Sequence, residues 1–145
     1  MDYDALALEL MQNCEQLSQA PATRELGQMI QGELFVLNYL ADCESGEHPN
    51  RISKVMMVST ARITAILNRL EEKQMILRET DPTDNRQVIV TLTRKGRDHI
   101  REKREETVAQ VRQMLVDLGP EDAETYVRIQ RRIRENHQQG LREAD

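Results

Sequence analysis

Residues 52–92, ISKVMMVSTARITAILNRLEEKQMILRETDPTDNRQVIVTL, leave a chain few ways to fold. Ser59 carries a hydroxyl that can accept from backbone N–H groups at a helix start, where they have no partner within the helix. The helix it opens is predicted to run to about Lys73, with Ile63, Ile66, Leu67 and Leu70 recurring at i, i+3, i+4 and i+7. That spacing puts four branched aliphatics on one core-facing stripe. Thr60, Ala61, Arg62, Thr64, Ala65, Asn68 and Arg69 take the other face, with no bulky apolar group among them. Ahead lies a helix of about a turn and a half, Ile52 to Met56, with Asn50 as its expected cap. Met57, Val58 and Ser59 form the turn between the two helices, and Val58 is the apolar pin. Behind lie two β-prone runs, Ile76 to Thr80 and Gln87 to Leu92, with Val88, Val90 and Leu92 alternating along one face. They are joined by Asp81-Pro82-Thr83-Asp84-Asn85-Arg86, whose proline and Asx residues favour a turn and place Arg86 at a loop tip. Helix, turn, helix and hairpin in this order predict a winged helix-turn-helix, mainly α with a small β-hairpin wing.

The polar face of the second helix has the chemistry of a groove reader. Arginine can give two parallel hydrogen bonds to a guanine edge, threonine and asparagine can bond base edges or phosphates, and alanine lets the backbone approach. A solvated helix face would look the same in isolation; the turn before it and the wing after it favour double-stranded DNA. Arg86 suits a minor groove, whose negative potential attracts guanidinium groups.

A net charge of −5 opposes that reading until its distribution is counted. Residues 51–104 hold 13 Lys or Arg against 7 Asp or Glu, a balance of +6, and the remainder holds 7 against 18, a balance of −11. The basic block coincides with the expected groove-facing elements, so local attraction to phosphates survives an acidic whole. At 145 residues the chain is expected to form one domain, 1–145, with a winged lobe at 33–93 and helical regions at 1–31 and 94–145. No apolar run has bilayer length and the N-terminus is acidic, so no membrane association and a cytoplasmic location are expected.

Outside the lobe, Tyr3, Leu6, Ala7, Leu10, Cys14 and Leu17 make a helical stripe that Pro21 is expected to close. Residues 34–43 are apolar nearly all round, which predicts a buried central helix. Thr93 is expected to cap a long helix to about Leu118, charged and solvated over Arg94 to Glu106, then striped by Val108, Val111, Met114, Leu115 and Leu118. Gly119-Pro120-Glu121-Asp122 stops it and starts another, which carries Tyr126, Val127, Ile129 and Ile133 on one side. Three amphipathic helices at the chain ends have more apolar surface than one small lobe can cover. Pairing with a second copy through Leu6, Leu10, Leu17, Val111, Met114, Leu118, Tyr126, Ile129 and Ile133 is the economical solution.

QGELFVLNYL (31–40), VSTARITAILNRLEEK (58–73), DPTDNR (81–86) and LTRKG (92–96) together resemble the MarR family of bacterial transcriptional regulators, in order and spacing, over essentially the whole chain. The resemblance implies a homodimeric repressor: two winged lobes joined by helices from both chain ends on a near-palindromic operator. It carries DNA contact to Ser59, Thr60, Arg62, Thr64, Arg69 and Arg86; with Lys54, Ala61, Ala65 and Asn68 these complete the candidate contacts. Two departures stand out. Gln74 replaces the family's usual glycine after the recognition helix, where a left-handed residue is favoured. Asn85 stands where the wing often has a second arginine, which lowers the charge of the tip.

No catalytic constellation is evident, so an enzyme is not expected. His48, His99 and His137 are scattered and read as surface residues, and neither a cofactor nor a metal is expected. The resemblance raises thiol-based redox sensing through Cys14, but its place on an apolar stripe beside Glu15 favours a buried structural cysteine. Met11, Met29, Met56, Met57, Met75 and Met114 read as adaptable core filler; the alternative is a flexible pocket for a small apolar or aromatic effector. The competing function is a winged-helix protein-interaction module without DNA binding, which has no need of Arg62, Arg69 and Arg86 together.

Overall fold

The computed structural model describes residues 1–143, so the last two residues of the expected C-terminal helical region lie outside the described residues. The chain runs α1 (Tyr3–Leu17), α2 (Pro21–Met29), α3 (Gly32–Ala41), α4 (Pro49–Met56), α5 (Thr60–Glu72), β1 (Ile76–Asp81), β2 (Asp84–Leu92), α6 (Arg94–Leu118) and α7 (Pro120–Glu143). This is the mainly helical winged helix-turn-helix expected from the sequence. The two strands pair antiparallel from Ile76–Leu92 to Thr80–Val88, and the register slips between Thr80 and Asp81.

One core holds the lobe together. Val36, Leu37 and Leu40 of α3, Ile52 of α4, the Ile63, Ile66, Leu67 and Leu70 stripe of α5, Ile76, Val90 and Ile100 of α6 are each no more than 2% exposed. α6 crosses from this core to α2 and α3 and ends against α7. Its first half is not simply solvated, as its charge predicted: Gly96 and Ile100 are buried. Arg104 from the same stretch donates to the Asn38 carbonyl (3.0 Å) and to both oxygens of Asp42 (3.1 and 3.2 Å). A charged run can therefore pack when its long side chains reach across to a neighbouring helix.

The LTRKG segment joins three elements. Thr93 accepts from the Gly96 N–H (3.0 Å), which caps α6, and its own hydroxyl donates to the Gln74 carbonyl (2.7 Å). A Cβ on Gly96 would lie 2.0 Å from the Met75 carbonyl oxygen, so only glycine lets α6 start against the end of α5.

Several local expectations are corrected. Pro21 does not close α1; it occupies the first turn of α2, where its missing N–H costs nothing. Asn50 is not the cap of α4: Pro49 begins that helix and Asn50 instead offers its carbonyl to the Ser53 hydroxyl (2.9 Å). Val88 does not share the burial of Val90 and is 41% exposed, because the hairpin runs past the core there. Met29, Met56 and Met75 pack on the core, but Met11 and Met57 are exposed and fill nothing within the chain. Cys14 is likewise exposed rather than buried. Cys43 is half-buried, its thiol donates to the Tyr39 carbonyl (3.3 Å), and burial with Glu47 and Asp42 nearby pushes it above its ordinary range.

Candidate nucleic-acid interface

Two left-handed residues aim the helix pair. Met57 (φ 55°) ends α4, with its N–H bonded to the Lys54 carbonyl (3.1 Å) and the Val58 N–H to that of Ser53 (3.0 Å). Gln74 (φ 60°) ends α5 in the same way, its N–H on Glu71 (2.9 Å) and the Met75 N–H on Leu70 (2.9 Å). These paired bonds satisfy the last carbonyls of a helix and normally favour glycine at the left-handed position. Gln74 therefore keeps the geometry of the residue it replaces. Between the two ends Val58 is half-buried on the core, and Ser59 accepts from the Arg62 N–H (3.2 Å) as predicted.

With its aliphatic stripe buried, α5 turns Thr60, Ala61, Arg62, Thr64, Ala65, Asn68 and Arg69 to solvent. They are not equally free. Arg69 donates to Glu33 of α3 (2.9 Å), which also accepts from Lys73 (2.6 Å). Burial alone would raise the Glu33 carboxyl, but the hydrogen bonds from Lys73 and Arg69 outweigh it and hold Glu33 below the ordinary range. Asn68 accepts from Arg78 of β1 (2.8 Å), whose guanidinium also pairs with Glu71. The Thr64 hydroxyl donates to the Thr60 carbonyl (2.8 Å). Arg62 alone among the cations of this face has no carboxylate partner among the described residues. It borders a depression shared with Arg24, Gln28 and Gln31.

The wing differs from expectation at its tip. Asp81 accepts from the Thr83 N–H (2.9 Å) and hydroxyl (2.7 Å), and Asp84 accepts from the Arg86 N–H (3.0 Å), so the turn closes on Pro82 and Thr83. Arg86 is thus not at a loop tip. It lies in the irregular start of β2, where the register has slipped, and faces a cleft beside the first turns of α4 that also takes in Lys54. His48 is not a free surface residue either: its Nε2 is 2.7 Å from Asp81 Oδ2, and it immediately precedes α4. The Thr83 N–H, the His48 ring and the Thr83 hydroxyl lower the Asp81 carboxyl to about 2.

Glu33, Arg78 and the His48–Asp81 pair were not legible as part of this surface. The contacts of Glu33 lie 36 and 40 residues away, and that of His48 33 residues away, separations that no local spacing encodes. None of the described helices is long and apolar enough to cross a membrane. Among the described residues no three His, Cys, Asp or Glu gather as metal ligands would.

A helix-turn-helix with an outward polar face, flanked by a hairpin and by basic side chains, defines the winged-helix class of transcriptional regulators. Residues 24–103 match the family described as transcriptional regulator SarA/Rot, more than half of the 145-residue chain. The chain belongs to that family. It is 32% identical over 104 residues to the uncharacterized HTH-type transcriptional regulator YdgJ of Bacillus subtilis (strain 168), a match covering 72% of this chain and 62% of that protein. It therefore spans less than two thirds of that relative's length. AbsC, a MarR family transcriptional regulator from Streptomyces coelicolor, shares the fold with a TM-score of 0.69 over 97% of both chains at 23% identity. The transcriptional repressor CouR, solved bound to a 23-mer DNA duplex, does so with a TM-score of 0.64 over 86% of this chain and 89% of its own at 20% identity. The MarR likeness read from the sequence extends to the fold.

Proposed function

We propose that the chain is a homodimeric regulator, a repressor, that binds a near-palindromic operator in double-stranded DNA. The observation that carries this reading is the outer face of α5, where Thr60, Ala61, Arg62, Thr64 and Ala65 stand exposed above a fully buried stripe. Arg62 would read a base edge in the major groove. Arg86 and Lys54 would meet the backbone bordering the adjacent minor groove, and Arg69, already shared with Glu33, would contribute less than its charge implies. The existence of CouR on a duplex with the same fold supports the placement.

A second copy would cover the exposed apolar side chains of α1 and α7, Leu10 and Ile133 among them. A two-fold pair would set its recognition helices about 34 Å apart, one turn of DNA. An apolar effector would enter the cavity of about 490 Å³ between the α1–α2 turn, α6 and α7, lined by Leu17, Ala22, Met114, Leu118 and Tyr126. Bound there it would shift the spacing of the two lobes, and a coupling of about 1 to 3 kcal/mol would suffice to release the operator.

The test compares Arg62→Ala and Arg86→Ala with the parent on a selected operator. Arg62→Ala is expected to cost about 1 to 3 kcal/mol and relax preference at one base position. Arg86→Ala is expected to weaken all duplexes alike and reduce the salt dependence of binding. Equal binding by all three proteins would remove these assignments.

A further inference from the structure

Between the first turns of α4 and the irregular start of β2 lies an open cleft of about 430 Å³, bordered by His48, Asn50, Arg51, Lys54, Arg86 and Gln87. Three of these are cations and no carboxylate borders the cleft, in a chain whose acids outnumber its Lys and Arg 25 to 20. Among the described residues none of Arg51, Lys54 and Arg86 has an ion-pair partner, although Arg51 also reaches the Tyr39 hydroxyl, which donates to Glu47 (3.3 Å). Arg69, Lys73, Arg78 and Arg104 each have one. Like charges gathered without a counter-charge repel one another, and a bound anion relieves that repulsion. Neutral donors are also at hand, in the side-chain amides of Asn50 and Gln87 and in the Asn50 N–H of the first turn of α4, which no side chain caps.

The two walls of the cleft belong to different elements, tied at one end by a specific pair. His48 precedes α4, Asp81 ends β1, and their 2.7 Å contact fastens helix to hairpin. Asp81 is 5% exposed, and Thr83 saturates its other oxygen, so its remaining oxygen is committed to His48. Backbone bonds between Glu47 and Val90 (3.0 and 2.9 Å) brace the same junction.

We infer that this cleft seats one phosphodiester of the DNA backbone, with Arg51 as a contact beside Lys54 and Arg86, and that His48 and Asp81 are positioning residues that set the distance between its walls. The inference rests on the reading of the chain as a duplex-DNA binder. It adds Arg51 to the contacts and gives the hairpin's attachment to α4 a role in affinity.

The experiment titrates the full-length parent, Arg51→Gln, His48→Ala and His48→Gln with the selected operator and with an unrelated duplex across a salt series. Arg51→Gln is expected to weaken both duplexes by the same factor, roughly tenfold, and to flatten the slope of log K against log salt by about 0.9, the loss of one phosphate contact. His48→Ala is expected to act in the same direction, whereas His48→Gln, whose amide can still donate to Asp81, recovers most of the parental affinity. Unchanged affinity and slope in Arg51→Gln, with the parent still binding its operator, would overturn the phosphate seat and leave the regulator reading intact. A parent that binds neither duplex removes both. Equal losses in the two His48 variants would overturn the positioning role. Inorganic phosphate at constant ionic strength is expected to compete no better than chloride; selective competition would make free phosphate the occupant instead.

Discussion

At the scale of single residues, a strained backbone at Gln74 and a stabilised carboxylate at Asp81 can each be read out directly. Gln74 holds φ at 60°, a region that costs a non-glycine residue about 1 to 2 kcal/mol. Gln74→Gly is expected to raise stability by roughly 0.5 to 1 kcal/mol, the strain relieved less the extra freedom of the unfolded chain. Urea unfolding checks it, and a loss of stability would show that the glutamine side chain contributes more than its backbone costs. Asp81 titrates at about 2 in the fold, held there first by the Thr83 N–H and then by His48. A carboxyl whose folded pKa lies below its unfolded value adds stability that is complete above the unfolded value, about 4, and is lost as pH falls toward the folded one. Asp81→Asn is therefore expected to flatten the dependence of stability on pH between about 4 and 2. Denaturant midpoints for parent and variant across that window decide it, and parallel curves would contradict the assignment.

At the scale of elements, the decisive joint is where α5, the hairpin and α6 meet. Gly96→Ala would drive a Cβ into the Met75 carbonyl, a backbone atom that cannot swing aside. It is expected to destabilise the lobe by about 1 to 3 kcal/mol or more, measured as a lower thermal or denaturant midpoint, and a midpoint at the parental value would mean that α6 can shift without cost. Periodicity made α5 legible because Ile63, Ile66, Leu67 and Leu70 belong to one helix and one core. Alternation made the hairpin legible from Val90 and Leu92 but misplaced Arg86, because the turn closes through side-chain bonds from Asp81 and Asp84 that alternation does not encode. α2 escaped notice since Pro21 can end one helix or begin the next, and only Ala22 of that helix is buried. The face of α5 was correctly placed outward, but its division into free and partnered side chains depends on Glu33 and Arg78, which arrive from other elements.

At the scale of the whole molecule, one chain leaves much of its apolar surface uncovered. α1 has no buried residue, and Leu10, Met11, Ile129 and Ile133 are all exposed. If a second copy covers them, Leu10→Asp with Ile133→Asp is expected to yield a folded monomer by sedimentation, with operator affinity reduced because each lobe then binds its half-site alone. A dimer that persists through both changes would place the interface elsewhere. The uneven charge, basic over 51–104 and acidic outside it, belongs to this scale too, since it would orient the assembly toward phosphates.

The outward face of α5, presented twice by a symmetric pair, would read a duplex. Selection of bound sequences from random double-stranded DNA by the full-length protein tests it most directly. An inverted repeat whose half-sites are centred about one helical turn apart is expected to be enriched, with loss of one base preference in each half-site for Arg62→Ala. A pool that remains random after repeated rounds, or an enriched site without two-fold symmetry, would contradict it.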